Sequence, residues 1–160
     1  MLRCGLLGET LGHSYSPMIH HALGEYDYRL FEIPKEDLDA FLRSDCWDGL
    51  NVTIPYKRDV MAFLDSVSPE AEAIGAVNCI RRTADGRLAG HNTDVIGLRA
   101  ALNELLGAAQ PVQALVLGTG GASQAVQYAL AERDIPFALV SREAAKGNYT
   151  YDCLLYTSDA

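Results

Sequence analysis

A single run near the C-terminal end constrains the fold more than any other part of the chain. Residues 112–117 form an apolar run interrupted only by Gln113, followed at once by Gly118-Thr-Gly120-Gly121-Ala122-Ser123. A helical pattern over 124–132 comes next, then a second apolar run over 136–140 that ends at Ser141-Arg142. Strand, glycine turn, helix and strand make a βαβ unit, and its right-handed crossover commits the chain to a parallel sheet. Glycines at such a turn let the backbone approach a pyrophosphate, and the helix behind them presents unpaired N–H groups to it. Ser123 stands where the third glycine of a G-x-G-x-x-G turn falls, and it is small enough for close helix packing. The second strand ends with Ser141 and Arg142 first and Glu143 only after them. A carboxylate at this point accepts the ribose hydroxyls of NAD, whereas an arginine suits a 2′-phosphate, so the order favours NADP.

The first two thirds of the chain read differently. Residues 3–7 form a short apolar strand ending at Gly8. The loop Glu9-Thr-Leu-Gly-His13-Ser14-Tyr-Ser16-Pro17 follows, in which Ser16 reads as an N-cap with proline in the first helical turn. A helix start of this kind favours an anion, and two hydroxyls stand beside it. The pattern then gives a strand over 26–33, a helix from Pro34 to Arg43, a strand over 49–54, and a helix over 58–64. After a break over 65–69 comes a short helix over 69–74 capped by Ser68. Two strands (76–82 and 87–91) joined by the Thr83-Ala-Asp85-Gly86 turn form a hairpin. A longer helix runs from Thr93 or Asp94 to Leu106, with Leu98, Ala101, Leu102 and Leu105 as its apolar stripe. Residues 107–111 read as a linker.

Polar residues collect where the apolar segments end. Alone, Lys57 reads as a solvated lysine just past a strand that Pro55 stops. Asn78 and the run Asn92-Thr93-Asp94 also stand at segment ends. If the intervening strands share one sheet, these groups converge at a cleft, because loops at strand ends carry most binding chemistry.

Composition removes several classes of function. The 160 residues carry a net charge of −8, with no basic stripe to neutralise a nucleic-acid backbone. No apolar run is long enough to span a bilayer. Cys4, Cys46, Cys79 and Cys153 are scattered without metal-ligand spacing, and His20, His21 and His91 have no second ligand beside them, so no metal is expected. Free thiols without a signal peptide point to the cytoplasm.

Taken together, His13-Ser14-Tyr-Ser16-Pro17, Asn51-Val-Thr53-Ile-Pro55-Tyr-Lys57, Ile74-Gly-Ala-Val-Asn78, Asn92-Thr93-Asp94 and Gly118-Thr-Gly-Gly-Ala-Ser123 resemble the shikimate dehydrogenase family, in order, over residues 3–152. The resemblance implies an α/β fold with a small open-sheet substrate-binding domain over 1–92, a connecting helix and linker over 93–111, and an incomplete Rossmann-like parallel sheet over 112–152. It implies reduction of 3-dehydroshikimate to shikimate with NADP as cofactor, in aromatic amino-acid synthesis. Ser14 and Ser16 would hold the substrate carboxylate, and Thr53, Asn78 and Asp94 the ring hydroxyls. Lys57 would be the acid–base residue with Asp94 as its partner. Gly118, Gly120, Gly121, Ala122 and Ser123 would wrap the pyrophosphate, and Arg142 would meet the 2′-phosphate. In many relatives an asparagine stands where this chain has Ser141.

The resemblance also implies further strands, and a late tyrosine and glutamine, that this chain does not contain. Residues 153–160 continue no pattern of the family and resemble translated sequencing-adapter read-through, so an extraneous tail on a truncated and inactive chain is expected. The family allows a homodimer of the full-length protein. Three other readings remain: a substrate-binding module without catalysis, a quinate/shikimate dehydrogenase using NAD, and a binder of another nucleotide-like ligand such as S-adenosylmethionine. The last leaves Lys57, Asn78 and Asp94 without an explanation.

Overall fold

The computed structural model describes residues 1–109 and 113–155, and these divide into two compact units, Met1–Thr93 and a second beginning at Asp94.

The first unit is built on a six-stranded mixed sheet. In chain order its elements are β1 (Arg3–Gly8), α1 (Ser16–Leu23), β2 (Asp27–Glu32), α2 (Leu38–Arg43), β3 (Gly49–Val52), β4 (Ser66–Val67), α3 (Pro69–Ile74), β5 (Cys79–Arg82) and β6 (Leu88–His91). The strands lie in the order β2-β1-β3-β5-β6-β4. β1 pairs parallel with β2 and β3, whereas β5 runs antiparallel to both β3 and β6. One sheet face carries Leu7, Leu50, Val52 and Ile80 into a core with Leu38, Leu42, Trp47, Tyr56 and Val60. Trp47 is fully buried, donates from Nε1 to the Phe41 carbonyl at 3.2 Å, and lies under the Arg82 guanidinium, 4.4 Å from the ring centroid.

Three local expectations change here and one holds. The helix expected over 58–64 is a 3₁₀ turn at Asp59–Phe63, and the tighter winding turns Val60 into the core. The break over 65–69 contains β4, which pairs parallel with β6 at the sheet edge. Ser16 is the first helical residue and not the cap: Tyr15 holds that position without a side-chain bond, and the Ser14 hydroxyl accepts the Ser16 N–H at 3.2 Å. At α3 the expectation holds, since Ser68 Oγ accepts from the Ala71 N–H at 3.3 Å and Gly75 closes the helix at φ 69°.

The second unit contains α4 (Asp94–Leu106), β7 (Ala114–Leu117), α5 (Gly121–Ala131), β8 (Phe137–Ser141), β9 (Tyr149–Thr150) and α6 (Tyr151–Leu155). Its three strands are parallel in the order β7-β8-β9, as the βαβ pattern requires. The core joins Val116, Leu130 and Ile135 with Leu102, Leu106, Val126 and Leu139. The α4 stripe therefore differs from the expected one. Leu98, Leu102 and Leu106 turn inward, while Ala101 is exposed and Leu105 is 80% exposed, because a four-residue step from Leu98 selects 102 and 106. β9 and α6 occupy a region for which the residue pattern gives no element, and α6 runs across the expected boundary at 152–153. The linker residues 110 and 111, position 112 of the expected strand, and tail residues 156–160 lie outside the described residues.

Candidate functional site

Antiparallel pairing of β5 to both neighbours brings three chain segments to one end of the first sheet. Asn51 in β3 is opposite Cys79 at the start of β5, and Cys79 is opposite His91 at the end of β6. The residues just outside those positions are Thr53, Asn78 and the pair Asn92-Thr93. Backbone bonds then lock the segments together. Thr53 N–H donates to the Leu7 carbonyl at 2.9 Å, and Val77 N–H donates to the Lys57 carbonyl at 2.7 Å, which sets Lys57 beside the Asn78 segment. Asn78 itself accepts from the Val52 N–H at 2.8 Å and donates to the His91 carbonyl at 3.0 Å. Between Thr53 and Lys57 the Ile54–Pro55 peptide is cis, and Tyr56, fully buried, donates from its hydroxyl to the Ile33 carbonyl at 2.6 Å. The turn carrying Lys57 is thereby nailed to the core. Lys57 itself is half-buried.

The side chains at this end are positioned by one another. Asn78, only 7% exposed, accepts at Oδ1 from the Thr93 N–H (2.7 Å) and from the Thr93 hydroxyl (3.1 Å). This fixes the amide orientation, with Oδ1 turned to Thr93. Asn92 is buried and donates from Nδ2 to the Ala76 carbonyl at 2.9 Å. The structure thus brings Thr53, Lys57 and Asn78 to one end of the sheet. Ser14 and Ser16 follow from the adjoining end of β1, and Tyr28 donates from its hydroxyl to Asn51 Oδ1 at 2.8 Å. Burial pushes the Tyr28 phenol up to about 12. Asp94 opens α4 directly after Thr93 and belongs to the second unit.

Sequence reasoning placed Asn92 and Thr93 at the cleft without a role of their own, and it missed Tyr28 as a support. The available signal was polar Asn51 inside a strand, since a buried polar group requires a partner. His20, which took no role, stacks on Tyr28 with ring centroids 3.7 Å apart and shares a hydrogen bond with the Tyr26 hydroxyl at 2.5 Å. Burial raises the Cys4 and Cys79 thiols above their ordinary value, so neither is activated as a nucleophile at neutral pH. Among the described residues no group of His, Cys, Asp or Glu is arranged to hold a metal, and no helix is long and apolar enough to cross a membrane.

In the second unit the glycine turn joins β7 to α5. Gly118 has φ 107°, a conformation that side chains disfavour, and its N–H donates to the Val140 carbonyl at 2.8 Å. Gly120 caps α5, and a Cβ placed on Gly120 or Gly121 would meet nothing within 4 Å, so the turn is open to a ligand. Ala122 is exposed in the first turn of α5, while Ser123 is buried and its hydroxyl accepts from Gln127 Nε2 at 3.0 Å. A cleft of about 410 Å³ runs from Gly118–Gly120 to Arg142, Glu143, Lys146 and Tyr151. Its donors and charges suit a phosphorylated nucleotide: open glycines and a helix N-terminus at one end, two cations at the other. Lys146 was not read into this site from the sequence, although it follows Arg142 by only four positions, and Glu143 was weighed there against Arg142 without being given a role.

A mixed-sheet unit with a polar strand end, followed by a parallel unit with a glycine turn, is the layout of the two-domain dehydrogenases. Comparison with known proteins narrows this. The family model described as the shikimate dehydrogenase substrate binding domain matches residues 6–80. A shikimate dehydrogenase (NADP(+)) of Clostridium beijerinckii is 46% identical over 153 residues, covering 90% of this chain and 56% of the relative. Among solved structures, shikimate dehydrogenase 1 of Peptoclostridium difficile superposes with a TM-score of 0.82 at 39% identity, covering 96% of this chain and 62% of that one. The Thermus thermophilus shikimate 5-dehydrogenase in complex with NADP(H) and shikimate gives 0.78 at 39% identity, covering 91% and 58%. Over about nine tenths of its length the chain is similar to shikimate dehydrogenases, and residues 6–80 match the substrate-binding domain of that family. The chain spans about half the length of the curated relatives it matches.

Proposed function

We propose that this chain is the substrate-binding part, with the opening of the nucleotide-binding part, of an NADP-dependent shikimate dehydrogenase that reduces 3-dehydroshikimate to shikimate. The observation that carries the reading is the convergence of Thr53, Lys57 and Asn78 at one sheet end, with Asn78 oriented by Thr93, inside or beside the segment that matches the substrate-binding model. We divide the chain at 1–92 for substrate, 93–111 for connection and 112–152 for nucleotide, with 153–160 extraneous. A cytoplasmic setting, which four free cysteines favour, and a homodimer of the longer protein complete the proposal.

The roles follow from chemistry. Ser14 and Ser16, beside the start of α1, hold the substrate carboxylate, and Thr53, Asn78 and Asp94 hold ring hydroxyls. Lys57 donates a proton to the carbonyl oxygen as charge builds there, converting carbonyl to hydroxyl, and Asp94 steadies the ammonium. Gly118, Gly120, Gly121, Ala122 and Ser123 hold the pyrophosphate and Arg142 the 2′-phosphate of NADP. The bound cofactor supplies the reducing equivalent.

Two experiments test this. Shikimate titrated onto the 160-residue chain, with NADP reduction followed optically on the same sample, should show binding without turnover. Turnover by this chain alone would overturn the division of labour, and absence of binding would overturn the substrate site. In a full-length enzyme carrying this segment, Lys57→Ala should lower kcat by about 10²- to 10⁴-fold while leaving shikimate affinity within a few-fold. Near-normal turnover would remove Lys57 from its role.

A further inference from the structure

The nucleotide cleft contains a charge that works against the expected cofactor. Glu143 follows Arg142 directly and lines the same cleft as Lys146. Its carboxylate pairs with Lys146 Nζ at 2.8 Å, across a 3₁₀ turn at Ala144–Lys146, and both side chains are mostly exposed. The position of this acid is not accidental in the local structure. Ser141, the last residue of β8, is buried, and its hydroxyl accepts the Glu143 N–H at 3.1 Å. That bond holds the turn so that Glu143 stands just beyond the strand end, where an acidic residue in a dinucleotide fold accepts ribose hydroxyls. Arg142 and Lys146 supply the opposite solution, two cations for a 2′-phosphate. One five-residue turn therefore carries both.

The two ligands meet this turn differently. A 2′-phosphate dianion drawn to Lys146 must displace the Glu143 carboxylate and then remain near it, a like-charge contact. A ribose without the 2′-phosphate leaves the ion pair intact and gains an acceptor for its hydroxyl. We propose that Glu143 narrows the discrimination between NADP and NAD in this protein, offsetting Arg142 and Lys146, so that the site accepts adenosine nucleotides with and without the 2′-phosphate. The proposal rests on the cofactor reading above and deepens it.

The test is calorimetric titration of the 160-residue chain with adenosine 2′,5′-bisphosphate and with adenosine 5′-monophosphate, which needs no turnover. The wild type should bind both probes. Glu143→Gln, a nearly isosteric change at an exposed position, should raise the ratio of bisphosphate to monophosphate affinity about three- to fivefold, the size of an exposed ion pair. Lys146→Gln should lower that ratio by a similar factor, and added salt should shrink both effects. An unchanged ratio in Glu143→Gln, with both probes still bound, overturns this inference and leaves the cofactor site standing. Failure of the wild type to bind either probe, with circular dichroism showing the chain folded, overturns the cofactor reading and the inference together.

Discussion

Asn78 shows how a single side chain can be structural and functional at once. Its Oδ1 accepts two hydrogen bonds from Thr93, and its backbone joins β3 to β6. Asn78→Ala removes a buried acceptor from the Thr93 N–H, and because Thr93 itself is exposed and its N–H can turn to water, the cost is about 0.5–1.5 kcal/mol. Thermal unfolding should register that loss, and shikimate affinity should fall in parallel. Asn78→Asp keeps the acceptor and should recover most of the stability but not the binding, because the amide donors are gone. Tyr28 supports a second prediction. Its phenol is held neutral to about pH 12 when folded, whereas an unfolded tyrosine ionises near its ordinary value of 10.0. Stability drawn from this group is intact below pH 10 and lost as the pH rises toward 12. The difference in unfolding free energy between wild type and Tyr28→Phe should therefore shrink or reverse across that window, and a pH-independent difference would count against the burial of this ring. Lys57 and Asn78 were legible as polar residues at segment ends, and Thr53 as a site residue only through the family resemblance. Tyr28 was not, because an aromatic in a strand reads as packing until its partners His20 and Asn51 are in view.

In the first unit β1, β2, β3, β5 and β6 were legible because apolar runs or alternation and turn residues mark them independently, whereas the two-residue β4 lay in a stretch that reads as a break. α4 was legible in extent but not in rotation: Leu98, Leu102, Leu105 and Leu106 permit more than one stripe, and only the packing partner selects among them. Backbone proximity left no periodic signal at all. Gly5 sits in β1 between two strands, and a Cβ there would lie 2.5 Å from the Arg29 carbonyl oxygen of β2 and 2.4 Å from the Phe31 ring. A backbone atom cannot swing aside, so Gly5→Ala must push β2 away and should destabilise the first unit by about 1–3 kcal/mol. Gly97 in α4 is the contrast. It is exposed, a Cβ would meet nothing within 4 Å, and the residue lies inside a helix. Gly97→Ala should raise stability by about 0.5–1 kcal/mol, measured by the same thermal unfolding.

The two units differ in how well each can hold itself together. The first closes six strands over a core that includes Leu7, Leu42, Trp47, Tyr56, Val60 and Ile80, all fully buried. Among the described residues the second has three strands, and its buried hydrophobics are fewer and smaller: Val95, Val116, Leu130, Ile135 and Val140, with Ala125, Ala129 and Ala138. Among the described residues β7 has a partner on one side only, and its Leu115 and Leu117 are 52% and 62% exposed. Loss of apolar contact of this kind lowers local stability, and an edge strand with exposed leucines also invites association. Native-state hydrogen exchange on the whole chain should then show two levels of protection. Amides of β1, β3 and β5 should exchange slowest, through global opening of the first unit. Those of β7, β8 and β9 should exchange faster, by at least about tenfold if the difference in opening free energy reaches about 1.4 kcal/mol. Limited proteolysis under native conditions should correspondingly cut first between residues 94 and 155 and leave a resistant core ending near Thr93. Adenosine 2′,5′-bisphosphate at saturating concentration should slow exchange in β7 and β8 and leave β1 unchanged, since a ligand stabilises only the unit whose folded form it binds. Equal protection in both units would mean that the second sheet gains its stability from contacts other than its own core.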